Sequence, residues 1–433
     1  MWALAAALCI ALLIAPALWN GFPLLQNDTG GYLARWYEGY LVTSRAVVYG
    51  LILNAGSLLA FWPVVIVQSA LTVWIVALMA RAHGFANRPW WVFGIVAALC
   101  AVTTLPWLTA ILLTDIFCGL GVLALYLLLL RGDTLGRGER IGLIVLVGVS
   151  AATHSATLAV LLGLLVVAAI VSLFARISFA AVSRGIVALA LGAAMTLAAN
   201  FLVAKQLAWT PGGFALSFGR MLQDGLVKKY LDEHCPDPSL RLCAHKDELP
   251  TDADMWFWGS DLFNKLGRFA GMDNEMETIA TRSLIAYPVL QAEAAAVAAV
   301  RQLLDMRTGE GVVNYLPHTR GIIERYVPHV VPAMMAARQQ KADISFTAIN
   351  AIDYPVGLLA MALLPVIILV ARGERFRRTR ELAGFMTIAI LGNAVVCGVF
   401  SNPHDRYGAR IVWLASLTVL IALMTALRQP EAD

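Results

Sequence analysis

The stretch that decides the topology of this chain is IGLIVLVGVSAATHSATLAVLLGLLVVAAIVSLFA, residues 141–175. Apolar runs of about twenty residues are typical of membrane-spanning helices, and this run is longer than one span needs. Its middle holds the polar triplet Thr153-His154-Ser155. The stretch is therefore either one long helix or two short helices hinged at that triplet, and the choice sets the side of the membrane on which later segments lie.

The composition predicts an all-α integral membrane protein. Of the 433 residues, 60% are hydrophobic and 14% are charged, and the mean hydropathy is +0.74. Soluble domains are about half apolar and about a quarter charged. No dense basic run is interleaved with aromatic residues, so nucleic acid is not expected as a partner, whereas membrane lipid is.

Ten apolar runs are long enough to be predicted as spans, at about 2–19, 59–80, 90–107, 110–130, 141–155, 157–175, 186–206, 352–371, 382–400 and 410–427. With a cytoplasmic N-terminus, thirteen arginines fall in short cytoplasmic loops and four in short outer loops. This asymmetry obeys the positive-inside rule. A single span over 141–175 would place RGERFRRTRE (372–381) outside, so we predict two spans with His154 at their outer tip.

This topology divides the chain into three parts. Residues 1–206 form an N-terminal transmembrane module, whose first outer loop covers 20–58. Residues 207–350 form a large, mainly helical extracytoplasmic insert, and residues 351–433 form a C-terminal transmembrane module. We expect both termini in the cytoplasm, the chain in a bacterial inner membrane, and the insert in the periplasm.

The insert carries two cysteines, Cys235 and Cys243, in the polar segment HCPDPSLRLCAHKDELP. Because an outer face is oxidising, we predict that they form a disulfide. The alternative is part of a metal site, for which His234 and His245 lie nearby in the sequence.

Five acids outside the insert are predicted near the outer interface: Asp28, Glu38, Asp115, Asp353 and Asp405. Ionisable groups at membrane depth are costly and indicate function by default. Asp28 directly follows the first span, and Asp115 begins the fourth within an apolar run. Simpler interpretations stay open, because both residues are also suitable as helix N-caps, and Glu38 is suitably spaced to pair with Arg35.

Basic and polar groups accompany these acids at other outer junctions. His154 lies at the predicted tip of spans five and six, and SNPHDRYGAR (401–410) joins the last two spans with His404, Arg406 and Arg410. Carboxylates beside Arg and His suit general-base chemistry on a substrate with an anionic head. Equally, His154 suits a hydrogen-bonded tip residue, and Asp405 with Arg406 suits an ordinary ion pair in a turn.

Four short motifs carry a family resemblance. They are NDTGGYL (27–33) after the first span, TSRAVVYGLIL (43–53), LTDIFCGLGVLALYLLLL (113–130) and THSAT (153–157). In this order they resemble the membrane glycosyltransferases of the C superfamily, which use polyprenyl-phosphate sugars. The similarity covers roughly residues 1–205. It departs where relatives carry Arg-Pro sequences before span two and at the hairpin tip, and the insert matches no domain that we can name.

The resemblance implies an inverting transfer from a polyprenyl-phosphate-linked sugar to an extracytoplasmic lipid or glycan acceptor. Asp28 would be the general base, and Asp115 would orient the acceptor or tune Asp28. The leaving phosphate would be held by Arg45, Arg406 or Arg410. Tyr32, His154 and His404 complete the predicted substrate-binding set. No cofactor is certain, no metal ligands are assigned, and a divalent cation is left open.

Two other function classes stay open. One is a transporter or flippase of a lipid-linked glycan, and the other is a non-catalytic envelope assembly protein. Carriers often show internal repeats and helices broken at mid-membrane. The sequence shows no repeat, and its acids cluster at one face, which favours an enzyme.

Overall fold

The computed structural model describes residues 1–86, 88–174 and 177–428. The predicted span 157–175 and the predicted C-terminal module 351–433 therefore end outside the described residues. Helices and loops make up the described part of the chain, where the β pairings are two isolated bridges, Leu24 with Ile111 and Val42 with Arg45. The all-helical class is confirmed.

Twenty-two α-helices follow one another in the described residues. Their bounds are α1 Trp2–Leu13, α2 Ala15–Asn20, α3 Thr29–Glu38, α4 Val47–Ser57, α5 Trp62–Ala82, α6 Pro89–Val102, α7 Leu105–Ala110, α8 Asp115–Leu130, α9 Arg137–Thr153, α10 Ser155–Ser172, α11 Phe179–Ala204, α12 Gly213–Gln223, α13 Leu226–His234, α14 Asp261–Lys265, α15 Arg268–Ala286, α16 Pro288–Leu304, α17 Pro317–Tyr326, α18 Val331–Ala336, α19 Arg338–Lys341, α20 Thr347–Val370, α21 Arg377–Phe400 and α22 Asp405–Leu427.

Six helical segments of the described chain are long and apolar enough to cross a membrane. They are α5, α10, α11, α20, α22 and the segment Glu374–Phe400 that contains α21. Helices α1, α4, α6 and α8 are apolar but shorter. The predicted count of ten spans stays a prediction, because an apolar run does not reveal where its helix breaks: the runs at 90–107 and 110–130 are divided among α6, α7 and α8.

The stretch 141–175 contains the predicted helix break. Helix α9 ends at Thr153 and α10 begins at Ser155, with His154 between them in extended backbone (φ −158°, ψ 126°). The Nδ1 atom of His154 accepts a hydrogen bond from the backbone N–H of Ala156 at 3.2 Å, which satisfies one of the free donors at the start of α10. The predicted break is confirmed, and the hydrogen-bonded interpretation of His154 is confirmed with it.

Helix α8 lies in the centre of the helical core. All its residues except Leu130 are buried, so it is apolar all round, as a helix enclosed by others must be. Two glycines allow close neighbours: a Cβ on Gly119 would lie 2.7 Å from the ring of Trp413, and one on Gly121 would lie 2.8 Å from Cβ of Ser150. This packing fixes Asp115, the first residue of α8, against the start of α22.

The insert consists of two differently packed parts. Between Ala215 and Ala280 it has a hydrophobic core of its own around Trp256 and Phe263. From Val312 onward its apolar side chains join the core formed by the candidate membrane spans and the shorter apolar helices. Cys235 and Cys243 form the predicted disulfide, so the metal-site alternative for this pair is wrong.

Candidate functional site

The carboxylate of Asp28 lies between two arginines from distant parts of the chain. Arg45 Nη2 donates to Asp28 Oδ1, and Arg406 Nη1 donates to Asp28 Oδ2 at 2.7 Å. All three side chains are largely buried. Asp28 occupies the N-cap position of α3, but its side chain makes no cap hydrogen bond. The helix-cap interpretation of Asp28 is therefore wrong for the side chain, which serves as an ion-pair partner.

The turn that carries Asp28 is held by the insert. Gly30 N–H donates to Thr319 Oγ1 at 3.1 Å, and the same hydroxyl lies 2.9 Å from the carbonyl oxygen of Asn27. A Cβ on Gly30 would approach Thr319 Cα to 2.5 Å, which real Cβ atoms do not do. Glycine is thus required here because α17 and α3 approach so closely.

Arg406 connects the two predicted catalytic acids. Its Nε lies 3.6 Å from Asp115 Oδ2, beyond hydrogen-bond distance, while its Nη1 binds Asp28. Asp115 is buried, and its Oδ1 has no hydrogen-bond partner among the described residues. Buried polar atoms nearly always have partners, so the unpaired Oδ1 is available to a ligand.

Glu310 of the insert joins the site from a Gly-Glu-Gly turn. Its Oε2 accepts from the backbone N–H of Arg406 at 2.8 Å, and its Oε1 lies 2.6 Å from His404 Nδ1. The flanking Gly309 and Gly311 have φ of +103° and +73°, which side chains with a Cβ rarely adopt. This turn aligns the junction between α21 and α22 over Asp28.

Opposite electrostatic effects act on the pKa values of Glu310 and His404. Burial alone would raise the pKa of Glu310, but the hydrogen bond and charge of His404, together with Arg406, outweigh burial and lower it. Burial alone would lower the pKa of His404, but Glu310, together with Asp254, outweighs burial and raises it. The two shifts favour an imidazolium paired with a carboxylate.

The pKa of Asp28 shows how strongly its arginines act. Burial alone would raise this pKa, because it disfavours the charged form. Arg45 and Arg406 together outweigh burial and lower the pKa to about 2. Asp28 is therefore ionised at neutral pH, and while both arginines bind it, it is a weak proton acceptor.

Aromatic rings surround the guanidinium groups. Arg45 lies over the ring of Tyr32 at 5.6 Å and over that of Trp258, in the insert, at 5.9 Å. The ring of Tyr407 lies 5.2 Å from the guanidinium carbon of Arg406 and 5.5 Å from the ring of His404. Such contacts hold the cations in place.

His154 and Arg410 lie on the other side of Tyr407. The ring of His154 is 6.4 Å from that of Tyr407, and the guanidinium of Arg410 is 5.2 Å away. Arg410 is fully buried, and its Nη2 donates to Asn393 Oδ1 at 2.8 Å. Its Nη1 has no hydrogen-bond partner among the described residues. Arg410 therefore supports the site from behind and does not itself reach Asp28.

A small open cleft lies beside the ion pairs. Asp115, Arg406 and Glu310 form its polar end, whereas Trp107 and Phe346 belong to its apolar wall. Asp28 and His154 do not line this cleft. Asp28 is linked to the cleft through Arg406, which lines it and binds Asp28. The arrangement provides positive charge and free carboxylate oxygen at one end and an apolar surface at the other.

The structure thus brings together Asp28, Asp115, Tyr32, Arg45 and Arg406, with His404, His154 and Arg410 around Tyr407. Glu38 pairs with Arg35, as predicted. The Asp405–Arg406 turn pair is wrong, because Asp405 accepts from the backbone N–H of Arg307 at 2.7 Å.

Sequence reasoning missed Glu310, Tyr407 and Trp258. The candidate acids of the sequence analysis all lie outside the insert, whereas Glu310 lies within it. Its position between two glycines was the available signal.

The described residues contain no group of three or more His, Cys, Asp or Glu side chains placed to hold a metal ion. The described residues therefore offer no set of ligands for the divalent cation that the sequence analysis left open. Comparison of the chain with models of protein families, with characterised proteins and with solved structures gave no match.

Proposed function

We propose that this protein is a membrane glycosyltransferase that moves a sugar from a polyprenyl-phosphate donor to an extracytoplasmic lipid or glycan acceptor. The observation that carries the proposal is the convergence of Asp28, Asp115, Arg45 and Arg406 from three distant segments. Two guanidinium groups match the oxygens of a phosphate, and two carboxylates supply a base and an orienting group.

The proposed reaction transfers the sugar in one displacement. The acceptor hydroxyl oxygen attacks the anomeric carbon, and its proton passes to Asp28. The bond between the anomeric carbon and the phosphate oxygen breaks, and polyprenyl phosphate leaves with the electron pair. Because attack and departure occur on opposite faces, the configuration inverts.

The double ion pair of Asp28 fits this reaction as a resting state. A general base works best when its pKa is near the operating pH, and a pKa of about 2 is far too low. A donor phosphate would compete with Asp28 for Arg45 and Arg406. Once the guanidinium groups bind phosphate, their lowering effect on Asp28 is offset, and its pKa rises. The donor would thereby release and activate the base.

The cleft supplies the remaining requirements of the proposal. Asp115 has one unpaired oxygen that can accept a hydrogen bond from an acceptor hydroxyl. Its other oxygen lies 3.6 Å from Arg406 Nε and attracts that cation. The edge-to-face contact of Trp107 and Phe346, with centroids 4.8 Å apart, provides a surface for the apolar part of the donor. Arg406 would contact the phosphate between these two regions.

The decisive experiment uses the full chain in lipid nanodiscs. Binding of a polyprenyl monophosphate is compared with binding of the same polyprenol without phosphate, and transfer is assayed with a panel of polyprenyl-phosphate hexoses and pentoses in cell-envelope extracts. Phosphate-dependent binding together with inverted product supports the proposal. Translocation of the intact donor across proteoliposomes without cleavage would instead favour the flippase, and binding of neither lipid would remove both.

A further inference from the structure

Helix α16 belongs to the insert in sequence but packs along a candidate membrane span. The carbonyl oxygen of Ala298 would lie 2.7 Å from a Cβ on Gly398, near the end of α21. Five residues later, Leu303 lines a small cavity with Ile390 of α21 and Met361 of α20. The chain of α16 therefore descends along α21 from its end toward its middle.

The depth of this descent follows from helix geometry. From Ala298 to Leu303, α16 advances five residues, which corresponds to about 7.5 Å along its axis. Since α21 lies in a segment able to span a membrane, the end of α16 lies beside that candidate span and below its end. The chain then returns, and Glu310 contacts Arg406 at the start of α22.

The outward face of the descending half of α16 is apolar apart from the exposed Arg301, whose long side chain can reach the membrane interface. Val297, Val300 and Leu304 are 62%, 58% and 47% exposed, and their spacing places them on one side of the helix. Glu293, also exposed, lies one turn above Val297, where a charge would remain in the interface. A solvated domain does not need such a face at the level of a membrane span.

The loop after α16 has the properties that non-helical backbone needs at membrane depth. Such backbone is tolerated at membrane depth only where its polar groups are bonded within the protein or line a cavity. Gln302 Nε2 donates to the carbonyl of Asp305 at 3.2 Å, and Asp405 accepts from Arg307 N–H.

The next residue of the loop is bonded in the same way. Asn350 bonds both backbone groups of Thr308, at 2.7 and 2.9 Å. The segment from Arg307 to Glu310 also lines the cleft beside the ion pairs. Both conditions are therefore met.

We infer that the second half of α16 is a re-entrant helix, inserted among the lipid acyl chains of the leaflet on the insert's side of the membrane. Its occupant is bilayer lipid, not a protein partner. Gln302 links this helix to the site, because its Nε2 donates to the carbonyl oxygen of His404 at 2.8 Å and its Oε1 accepts from the N–H of His404. The insert is thus anchored in the bilayer beside the ion pairs.

The test places a nitroxide label on Val300→Cys in the full chain in nanodiscs. Collisions with oxygen, which concentrates in lipid, are compared with collisions with a water-soluble nickel chelate. Leu359→Cys, exposed on the candidate span α20, is the lipid control, and Glu277→Cys, exposed on α15, is the water control. The unsubstituted chain, whose free cysteines are buried or partly buried, gives the background.

The Val300 label is expected to give an oxygen-to-nickel ratio close to that of Leu359. A ratio close to that of Glu277 would overturn the inference. Val297→Cys provides a second position on the same exposed face, so one misfolded variant does not decide the outcome. Because lipid exposure is measured directly, the result is independent of whether the protein transfers sugars.

Discussion

Asp28 and Arg406 are 378 positions apart in the chain, and their side chains meet at 2.7 Å. Asp28 lies between α2 and α3, and Arg406 lies in the first turn of α22, so this ion pair joins early and late parts of the chain. Arg45 completes the pairing on the other carboxylate oxygen. Each prediction about function depends on what happens when a phosphate competes with Asp28 for Arg45 and Arg406.

Asp28→Asn is expected to separate binding from transfer. Asparagine keeps the size but removes the charge, so Arg45 and Arg406 become available to phosphate. Affinity for a polyprenyl monophosphate should rise by about tenfold or more, the worth of one charge-assisted hydrogen bond. Transfer should fall by about two to four orders of magnitude because the base is lost. Lipid binding is followed by tryptophan fluorescence and transfer by product analysis.

The same variant should lose stability, because two largely buried guanidinium groups lose their carboxylate. Breaking such a pair costs about 3–5 kcal/mol when fully buried, and somewhat less at this partial exposure. Glu38→Gln is the matched control, since it breaks an ion pair on the same helix outside the cluster. Normal transfer by folded Asp28→Asn protein would sink the proposed mechanism.

Arg406→Lys keeps the positive charge but cannot contact Asp28 and Asp115 together. Phosphate affinity is expected to fall about ten- to a hundredfold, because a planar guanidinium is replaced by a single ammonium. Arg320→Lys, on an exposed arginine of α17 paired with Glu324, should bind as the unsubstituted chain does. Unchanged affinity in Arg406→Lys would show that Arg406 acts only through its charge, and equal losses in both variants would show that the loss is not specific to Arg406.

Stability should depend on pH through His404 and Glu310. The raised pKa of His404 gives a contribution that is complete below its ordinary value of 6.5 and is lost as the pH rises through the higher folded value. The lowered pKa of Glu310 gives a contribution that is complete above 4.5 and is lost as the pH falls through the lower folded value. Both contributions are therefore complete between pH 4.5 and 6.5.

The measurement is the thermal midpoint in detergent from about pH 6 to about pH 9, across the range in which the imidazolium is lost. The midpoint of the unsubstituted chain should fall by more than that of His404→Gln, which has no titrating ring. Parallel curves for the two proteins would contradict the assigned pair.

Two glycines of α21 test the packing of α16. A Cβ on Gly398 would lie 2.7 Å from the backbone of Ala298, whereas a Cβ on Gly392 meets nothing within 4 Å. Gly398→Ala should therefore destabilise the protein by about 1–3 kcal/mol. Gly392→Ala should be neutral or slightly stabilising because alanine favours the helix. If both variants melt alike, α16 does not pack against α21 at this position.

The disulfide should stabilise the separate core of the insert. Closing the nine-residue segment from Cys235 to Cys243 is worth about 2–3 kcal/mol in the chain-entropy model. Replacing both cysteines by serine should lower the melting temperature and speed proteolysis between Ala215 and Ala280. Mass spectrometry without reduction should find the pair oxidised in the unsubstituted chain, and free thiols there would contradict the prediction.

Local features of the sequence predicted local features of the fold. The break at His154 and the disulfide followed from a polar triplet in an apolar run and from cysteine spacing on an oxidising side. Similarly, Asp28, Asp115 and Arg406 were found because charged residues are costly beside apolar spans.

Features set by tertiary packing could not be predicted in this way. Hydropathy did not show that the third and fourth apolar runs are divided among α6, α7 and α8, nor that α16 leaves its own domain to pack on α21. Glu310 was missed because an acid among seventeen in a polar insert carries no individual signal. Its partners, His404 and the backbone of Arg406, lie about a hundred positions away and become adjacent only in the folded chain.

Thr319, which binds the turn before Gly30, determines when this site can form during synthesis. Asp28 leaves the ribosome early, but the residue that shapes its turn follows nearly three hundred positions later, and Arg406 later still. Until then, Arg45 is the only one of the two arginines that the nascent chain can offer to Asp28. A truncated chain that ends before α17 would therefore lack both Thr319 and Arg406, and it could not assemble the cluster around Asp28.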